Sequence, residues 1–143
     1  MRQVFMVIGM SMLLSAGFSR DNTGVVTDSL TGLLWQDNYS DNDGAFKEST
    51  WQDALTYCQE LRLGNSTDWR LPNIEELKSI RKTSGERPAI DKSFQHSSDD
   101  FYWSSTTPIR NTGNAWGIDF YDGLSSQGIK TEIKLVRCVR GGA

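Results

Sequence analysis

Ile133-Lys134-Leu135-Val136-Arg137-Cys138-Val139-Arg140-Gly141-Gly142 is the stretch on which the fold of this chain turns. Ile133, Leu135, Arg137 and Val139 alternate with Lys134, Val136, Cys138 and Arg140, which is the period of a β-strand. On that reading Cys138 points to one face of a late strand, beside Val136. The other cysteine, Cys58, lies in Trp51-Gln52-Asp53-Ala54-Leu55-Thr56-Tyr57-Cys58-Gln59-Glu60-Leu61, where Trp51, Ala54, Leu55, Cys58 and Leu61 fall on one helical face. Thr50 caps this helix with Asp53 three residues on, and Gly64 stops it. Cys58 is thus on the buried stripe of its helix, and Cys138 on one face of a late strand. An even cysteine count favours a disulfide wherever the compartment is oxidising, with two buried free thiols as the alternative. Closing so long a loop stabilises by about 4.5 kcal/mol at most.

Working outward, Gly24-Val25-Val26-Thr27-Asp28 reads as a strand, Thr31-Gly32 as a turn, and Leu33-Leu34-Trp35 as a second strand. The acidic run from Asp37 to Gly44 reads as a solvated turn. Asp68-Trp69-Arg70-Leu71-Pro72 is extended, since the residue before proline avoids helical geometry. Here Trp69 and Arg70 suggest packing beside an ion pair with Asp68 or another acid. Asn73 with Glu76 forms a second capping box, opening a helix to about Lys82 with Ile74, Leu77 and Ile80 inward. Residues 83–100 are polar and irregular. Phe101 to Thr106, Ala115 to Tyr121, Gly128 to Lys130 and Ile133 to Arg140 then read as strands. Two strands, two helices, a long loop and a run of strands make an α+β domain.

The N-terminus carries a different signal. Arg2 precedes the apolar run Val4 to Leu14, and small residues follow before Arg20, which is the pattern of a secretory signal peptide. The run is too short to span a bilayer, which takes roughly 20 apolar residues. Residues 1–19 are therefore expected to be a signal peptide, cut after Gly17 or Ser19, and 20–143 the domain. Phe18 stands where a lipoprotein would carry its cysteine, so the expected product is secreted or periplasmic, with no membrane insertion after cleavage. The formal net charge is −3, which argues against nucleic acid and against an anionic membrane surface.

The motifs Thr31-Gly32-Leu33-Leu34-Trp35-Gln36, Trp51 to Cys58, Asp68-Trp69-Arg70-Leu71-Pro72-Asn73, Tyr102-Trp103-Ser104-Ser105-Thr106 and Val136-Arg137-Cys138-Val139-Arg140-Gly141-Gly142 occur in that order. Together they resemble the Lcl C-terminal domain family, also known as DUF1566, over about residues 24 to 142. The resemblance implies a C-type-lectin-like single domain: two helices flanking a twisted, mainly antiparallel sheet, first and last strands paired. It also implies a disulfide from the first helix to the last strand, which agrees with the placement of Cys58 and Cys138. The fold is related to the formylglycine-generating sulfatase-modifying domains.

No catalytic constellation stands out. His96 lies among Ser97, Ser98, Asp99 and Asp100, where adjacent polar side chains read as solvated loop rather than a triad. The cysteines that formylglycine-generating relatives use for oxidation are here expected to be bonded to each other, so no enzymatic activity is expected. The acidic run fails the EF-hand spacing, because Tyr39 would take the first ligand position and Thr50 the last. The paired carboxylate motifs of calcium-dependent lectins are missing too, so neither metal nor cofactor is expected. Trp35, Trp51, Trp69, Trp103 and Trp116 read as core residues. Loops on a rigid scaffold then become the binding candidates, over 84–100 and 108–114. Arg87, His96, Arg110, Asn111 and Asn114 offer hydrogen bonds to hydroxyls, carboxylates or sulfates. The expected role is a non-catalytic binding domain for a glycan or a surface protein. The alternatives are an accessory domain of a surface assembly making protein contacts alone and, third, an enzyme of the formylglycine-generating type. Adhesin relatives are associated with sulfated polysaccharides, but this chain is acidic and lacks collagen repeats.

Overall fold

The computed structural model describes residues 17–142. Phe18–Arg20 (β1), Val25–Asp28 (β2) and Leu33–Gln36 (β3) form an antiparallel meander. The β2–β3 turn is held by Asp28, whose carboxylate accepts from the Leu30 N–H and the Thr31 hydroxyl. A single 3-10 turn at Ser40–Asn42 and the short strand Glu48–Ser49 (β4) lead into Trp51–Glu60 (α1). Ile74–Lys78 (α2) follows, and the chain ends in Phe101–Trp103 (β5), Asn114–Asp119 (β6), Leu124–Ile129 (β7), Lys134–Leu135 (β8) and Val139–Gly141 (β9).

The domain is α+β, and its strands form two sheets rather than one. The first has the order β1-β2-β3-β9 and the second β4-β8-β5-β6-β7. All pairings are antiparallel except the single β5–β8 contact. First and last strands share the first sheet, although β9 bonds to β3 and not to β1. The last strand expected over Ile133 to Arg140 is broken in two. Residues Val136, Arg137 and Cys138 carry the chain from the second sheet to the first, and all three are buried. A segment crossing between sheets has interior on both sides, so the simple alternation of an edge-exposed strand does not apply to it.

Both helix starts are as the sequence suggests. The Thr50 hydroxyl accepts from the Asp53 N–H, and Asn73 and Glu76 form a complete capping box. Both helices end earlier than expected. Leu61 leaves α1 in an extended conformation, and α2 makes little more than one turn before the chain bends at Ser79. β7 is longer than the sequence suggested, beginning at Leu124. Its partner β6 carries Gly117, where a Cβ would lie 2.3 Å from the Phe101 ring and from the Tyr102 carbonyl oxygen. The bare backbone there leaves the space that the Phe101 ring occupies.

Two apolar clusters fill the interior. One gathers Val26, Leu33, Trp35, Leu77, Ile80, Tyr102, Ile118 and Phe120; the other Ala54, Cys58, Trp69, Leu71, Trp103, Val136 and Cys138. The disulfide Cys58–Cys138, with Cα atoms 5.4 Å apart, lies within the second. It ties α1 to the residue just before β9, and no cysteine is free. β1 begins inside the expected 1–19 segment: it pairs Phe18 with Asp28 and Ser19 with Thr27. The apolar run Val4 to Leu14 lies outside the described residues. Among those described, no helix is long and apolar enough to cross a membrane.

Candidate functional site

The most elaborate polar construction is buried. Asp37, read as part of a solvated turn, is instead wholly inaccessible. Its carboxylate pairs with Arg20 Nε at 2.6 Å and with Arg137 Nη1 at 3.1 Å, and it accepts from the backbone N–H of Gln95 and His96. Arg137, 1% exposed, donates from Nη1 also to the Gln36 carbonyl, and from Nη2 to the His96 carbonyl and the Ser97 hydroxyl. Its guanidinium faces the rings of Phe94, Tyr102 and Tyr39. Burial works against the charge, and the surrounding Tyr39, Tyr102 and Asp37 outweigh it, holding the Arg137 pKa above its ordinary value. Burial likewise raises the Tyr39 hydroxyl well above its usual range.

This pair lies inside the fold and does not open to a ligand. Its role is to fasten the loop 94–97 to the first sheet through backbone atoms. The His96 imidazole is left exposed, outside the network that its own backbone completes. Ser97 serves Arg137, so Ser97, His96 and Asp99 are not assembled as a triad by any hydrogen bond among the described residues.

The remaining candidate residues fall at two ends of the β6–β7 hairpin. Arg87 lies 3.6 Å from the centroid of the Tyr121 ring, beside the β6–β7 turn. Arg110, Asn111 and Asn114 lie at the opposite end, where β6 begins. A six-residue strand separates them by roughly 17 Å, at about 3.3 Å per residue. The structure therefore brings together Arg110, Asn111 and Asn114, and leaves Arg87 and His96 in separate places.

Residues 107–113 form a compact turn in which the Asn111 N–H donates to the Pro108 carbonyl and the Asn114 N–H to the Asn111 carbonyl. Ile109 at its tip is 95% exposed, and Arg110, Asn111 and Thr112 are exposed beside it. The side chains of Arg110 and Asn111 make no hydrogen bond or ion pair among the described residues. The Asn114 amide donates to Gln127 Oε1 and is thereby fixed to β7.

Sequence reasoning missed the surface next to this turn. Lys130 Nζ donates to the Thr112 carbonyl and lies 4.0 Å from the centroid of the Trp51 ring. Trp51, expected in the core, is half-buried at the start of α1, with its indole N–H donating to the Ser104 carbonyl. Thr50, Trp51, Gln52, Lys130 and Thr131 line a shallow, mainly apolar hollow of about 410 Å³. Trp116 is also only half-buried, whereas Trp35, Trp69 and Trp103 are core residues as expected. The signal available in the sequence was position: a tryptophan in the first turn of a helix lies where one edge of its ring remains at the surface.

Around α1 the surface is polar. Tyr57 donates from its hydroxyl to Asp41 and accepts from the Gln36 amide, while Lys47 Nζ lies over its ring. Burial raises the Tyr57 hydroxyl pKa. The acid that Arg70 pairs with is Glu76, through two bonds of 2.6 and 2.7 Å, while Asp68 pairs with Arg140 at the surface. Among the described residues no group of His, Cys, Asp and Glu side chains is arranged to hold a metal ion.

These features define a disulfide-closed α+β domain of two linked sheets, with a polar turn and an aromatic hollow at one end. The chain belongs to the Lcl C-terminal domain family, whose model matches residues 24–140. Comparison with curated proteins finds no match. The disulfide fits a non-cytoplasmic, oxidising compartment.

Proposed function

We propose that the protein is an exported, non-catalytic binding domain that recognises a glycan on a cell surface or in the extracellular matrix. The observation carrying this reading is the surface at one end of β6. There the unengaged Arg110 and Asn111 side chains belong to the turn whose Thr112 carbonyl accepts from Lys130, and Lys130 in turn lies over the half-buried Trp51 ring. Planar donors that recognise hydroxyl or anionic groups, next to an aromatic edge and an apolar hollow, suit a sugar face and its rim of hydroxyls. The donors are presented on a turn held by backbone bonds, so little ordering entropy is lost on binding. A non-catalytic role is supported by the disulfide, which occupies both thiols, and by the burial of Arg137 and Asp37 away from any ligand.

Export to the periplasm or medium is part of the same proposal. Of the two expected cleavage points we favour the first: a cut after Gly17 leaves Phe18–Arg20 whole, whereas a cut after Ser19 removes two of its three residues. N-terminal sequencing of exported protein is expected to begin at Phe18, and an uncut N-terminus in the exported pool contradicts the signal reading.

The ligand test is a glycan array probed with and without calcium, using the native domain and the Arg110→Ala/Asn111→Ala variant. Binding that survives chelation and falls at least tenfold in the variant is the expected result. Failure to bind any glycan, together with co-purification of a surface protein, transfers the role to an accessory domain of a surface assembly.

A further inference from the structure

The two sheets have four outer strands, and they are unlike one another. β1, β4 and β9 are two or three residues long and contain Arg20, Glu48 and Arg140 respectively. β9 is further covered by a bridge in which Arg70 and Val139 exchange both backbone bonds. Short, charged or covered edges are how folded domains avoid strand pairing with other chains. β7 has none of these protections. Leu124-Ser125-Ser126-Gln127-Gly128-Ile129 is six residues long, without charge or proline, and pairs only with β6 among the described residues.

The register shows which backbone groups are left over. Lys130 N–H donates to the Gly113 carbonyl, so residue pairs 113–130, 115–128, 117–126 and 119–124 direct their bonds inward. Ser125, Gln127 and Ile129 consequently direct their N–H groups away from the sheet, and none has a partner among the described residues. The Ser125 and Gln127 carbonyls are equally free, while that of Ile129 accepts from Glu132. Leu124 and Ile129 at the two ends are 59% and 50% exposed.

We propose that β7 pairs antiparallel with β7 of a second copy of this chain, joining two five-stranded sheets into one continuous sheet. Charge complementarity selects a copy of the same chain as the occupant. The uncharged strand is flanked by Asp122 on one side and Lys130 on the other, so an antiparallel copy brings unlike charges together at both ends. Pairing about Ser126 places Ser125 opposite the partner's Gln127, the two exchanging both backbone bonds, twice by symmetry. Asp122, in the turn two residues before the strand, and the partner's Lys130, directly after it, are thereby brought to the same end of the paired strands. Ser125 and Gln127 each then meet an outward-facing residue, as an antiparallel ladder requires, while Ile129 falls opposite the partner's Gly123, whose N–H and carbonyl are engaged with Asp119 and Arg81. Two-fold pairing of this kind is isologous and closes at the dimer, so it does not propagate into a fibre.

Sedimentation equilibrium on the oxidised domain (residues 18–143) tests the pairing. The native chain is expected to approach twice the monomer mass as concentration rises, in the weak range of a small interface. Gln127→Pro removes one outward N–H and no ladder bond, so it should return the chain to monomer mass with its melting transition retained. Asp122→Lys and Lys130→Asp should each be monomeric alone, since each then meets like charge at both ends. Mixed in equal amounts they should associate again, because only the mixed pair restores unlike charges. Monomer mass for the native chain up to about 1 mM, or association unchanged by Gln127→Pro, overturns the proposal. Failure of the mixture to associate, with both variants folded by melting, overturns the antiparallel register.

Discussion

Residues 94–97 and 107–113 look alike in composition and are opposite in construction. Each is short, polar and rich in hydrogen-bonding side chains. The first is fastened from below: Asp37 takes the Gln95 and His96 N–H groups, Arg137 takes the His96 carbonyl and Ser97 hydroxyl, and Phe94 is buried on the guanidinium. The second is held mainly by its own turn bonds and by Lys130. Polarity therefore says nothing about which loop is available to a ligand. Availability is decided by whether a buried side chain from elsewhere has taken up the loop's backbone.

The comparison breaks most completely at Arg137. Arg137→Ala strands Asp37 in the interior with only Arg20 to face it, and is expected to cost about 3–5 kcal/mol in denaturant unfolding. Amide exchange should rise first at 95–97, with 107–113 little changed. Simultaneous exchange at both loops would show that they are not independently held. The disulfide comes next. Cys58→Ala/Cys138→Ala is expected to cost about 2–5 kcal/mol, read by the same melts, because Cys138 directly follows Arg137 in the segment between the sheets.

Acid should separate the loops without mutation. Burial tends to raise the Asp91 carboxyl, but the Ser93 N–H and hydroxyl and the Lys82 ammonium outweigh it and hold its pKa below the ordinary value. Glu76 is likewise lowered, its burial outweighed by Arg70 and the Asn73 N–H. A lowered folded-state pKa contributes stability that is fully present above the unfolded value, near about 4, and lost as pH falls through the lowered one. Exchange at 91–97 should therefore accelerate below that point. The segment 107–113 contains no carboxylate and should lag. The smallest effects are at side chains that serve neither construction. His96→Ala keeps every backbone bond of its loop and should change stability by no more than about 0.5 kcal/mol. Arg110→Ala should leave melting equally unaffected while lowering glycan binding.

Local features were legible in the sequence because their causes are local. The caps at Thr50 and Asn73, the inward face of α1 with Cys58, and the turn at Thr31-Gly32 depend on residues a few positions apart. The Arg137–Asp37 pair was not legible. Its members are far apart in sequence, and Arg137 sits in a pattern that alternates like a strand while belonging to a crossing between sheets. The same crossing is why one expected strand became two. At the candidate site, Arg110 and Asn111 were visible as polar loop residues. Their neighbour Trp51 was assigned to the interior because amphipathic spacing marks the inward stripe of a helix, not how deep its first turn is set.

The pairing of β3 with β9 bears on when this chain can become a domain. Leu33 is bonded to a strand that includes Gly141, and Trp35 to Val139. The N-terminal meander is thus left with an open side until residues 139–141 are present. Such long-range closure makes acquisition of the native state late and comparatively slow. For a chain that must be threaded through a translocation pore, as proposed here, lateness is useful: the polypeptide stays pliable during passage, and the cysteines meet only after both have reached an oxidising compartment.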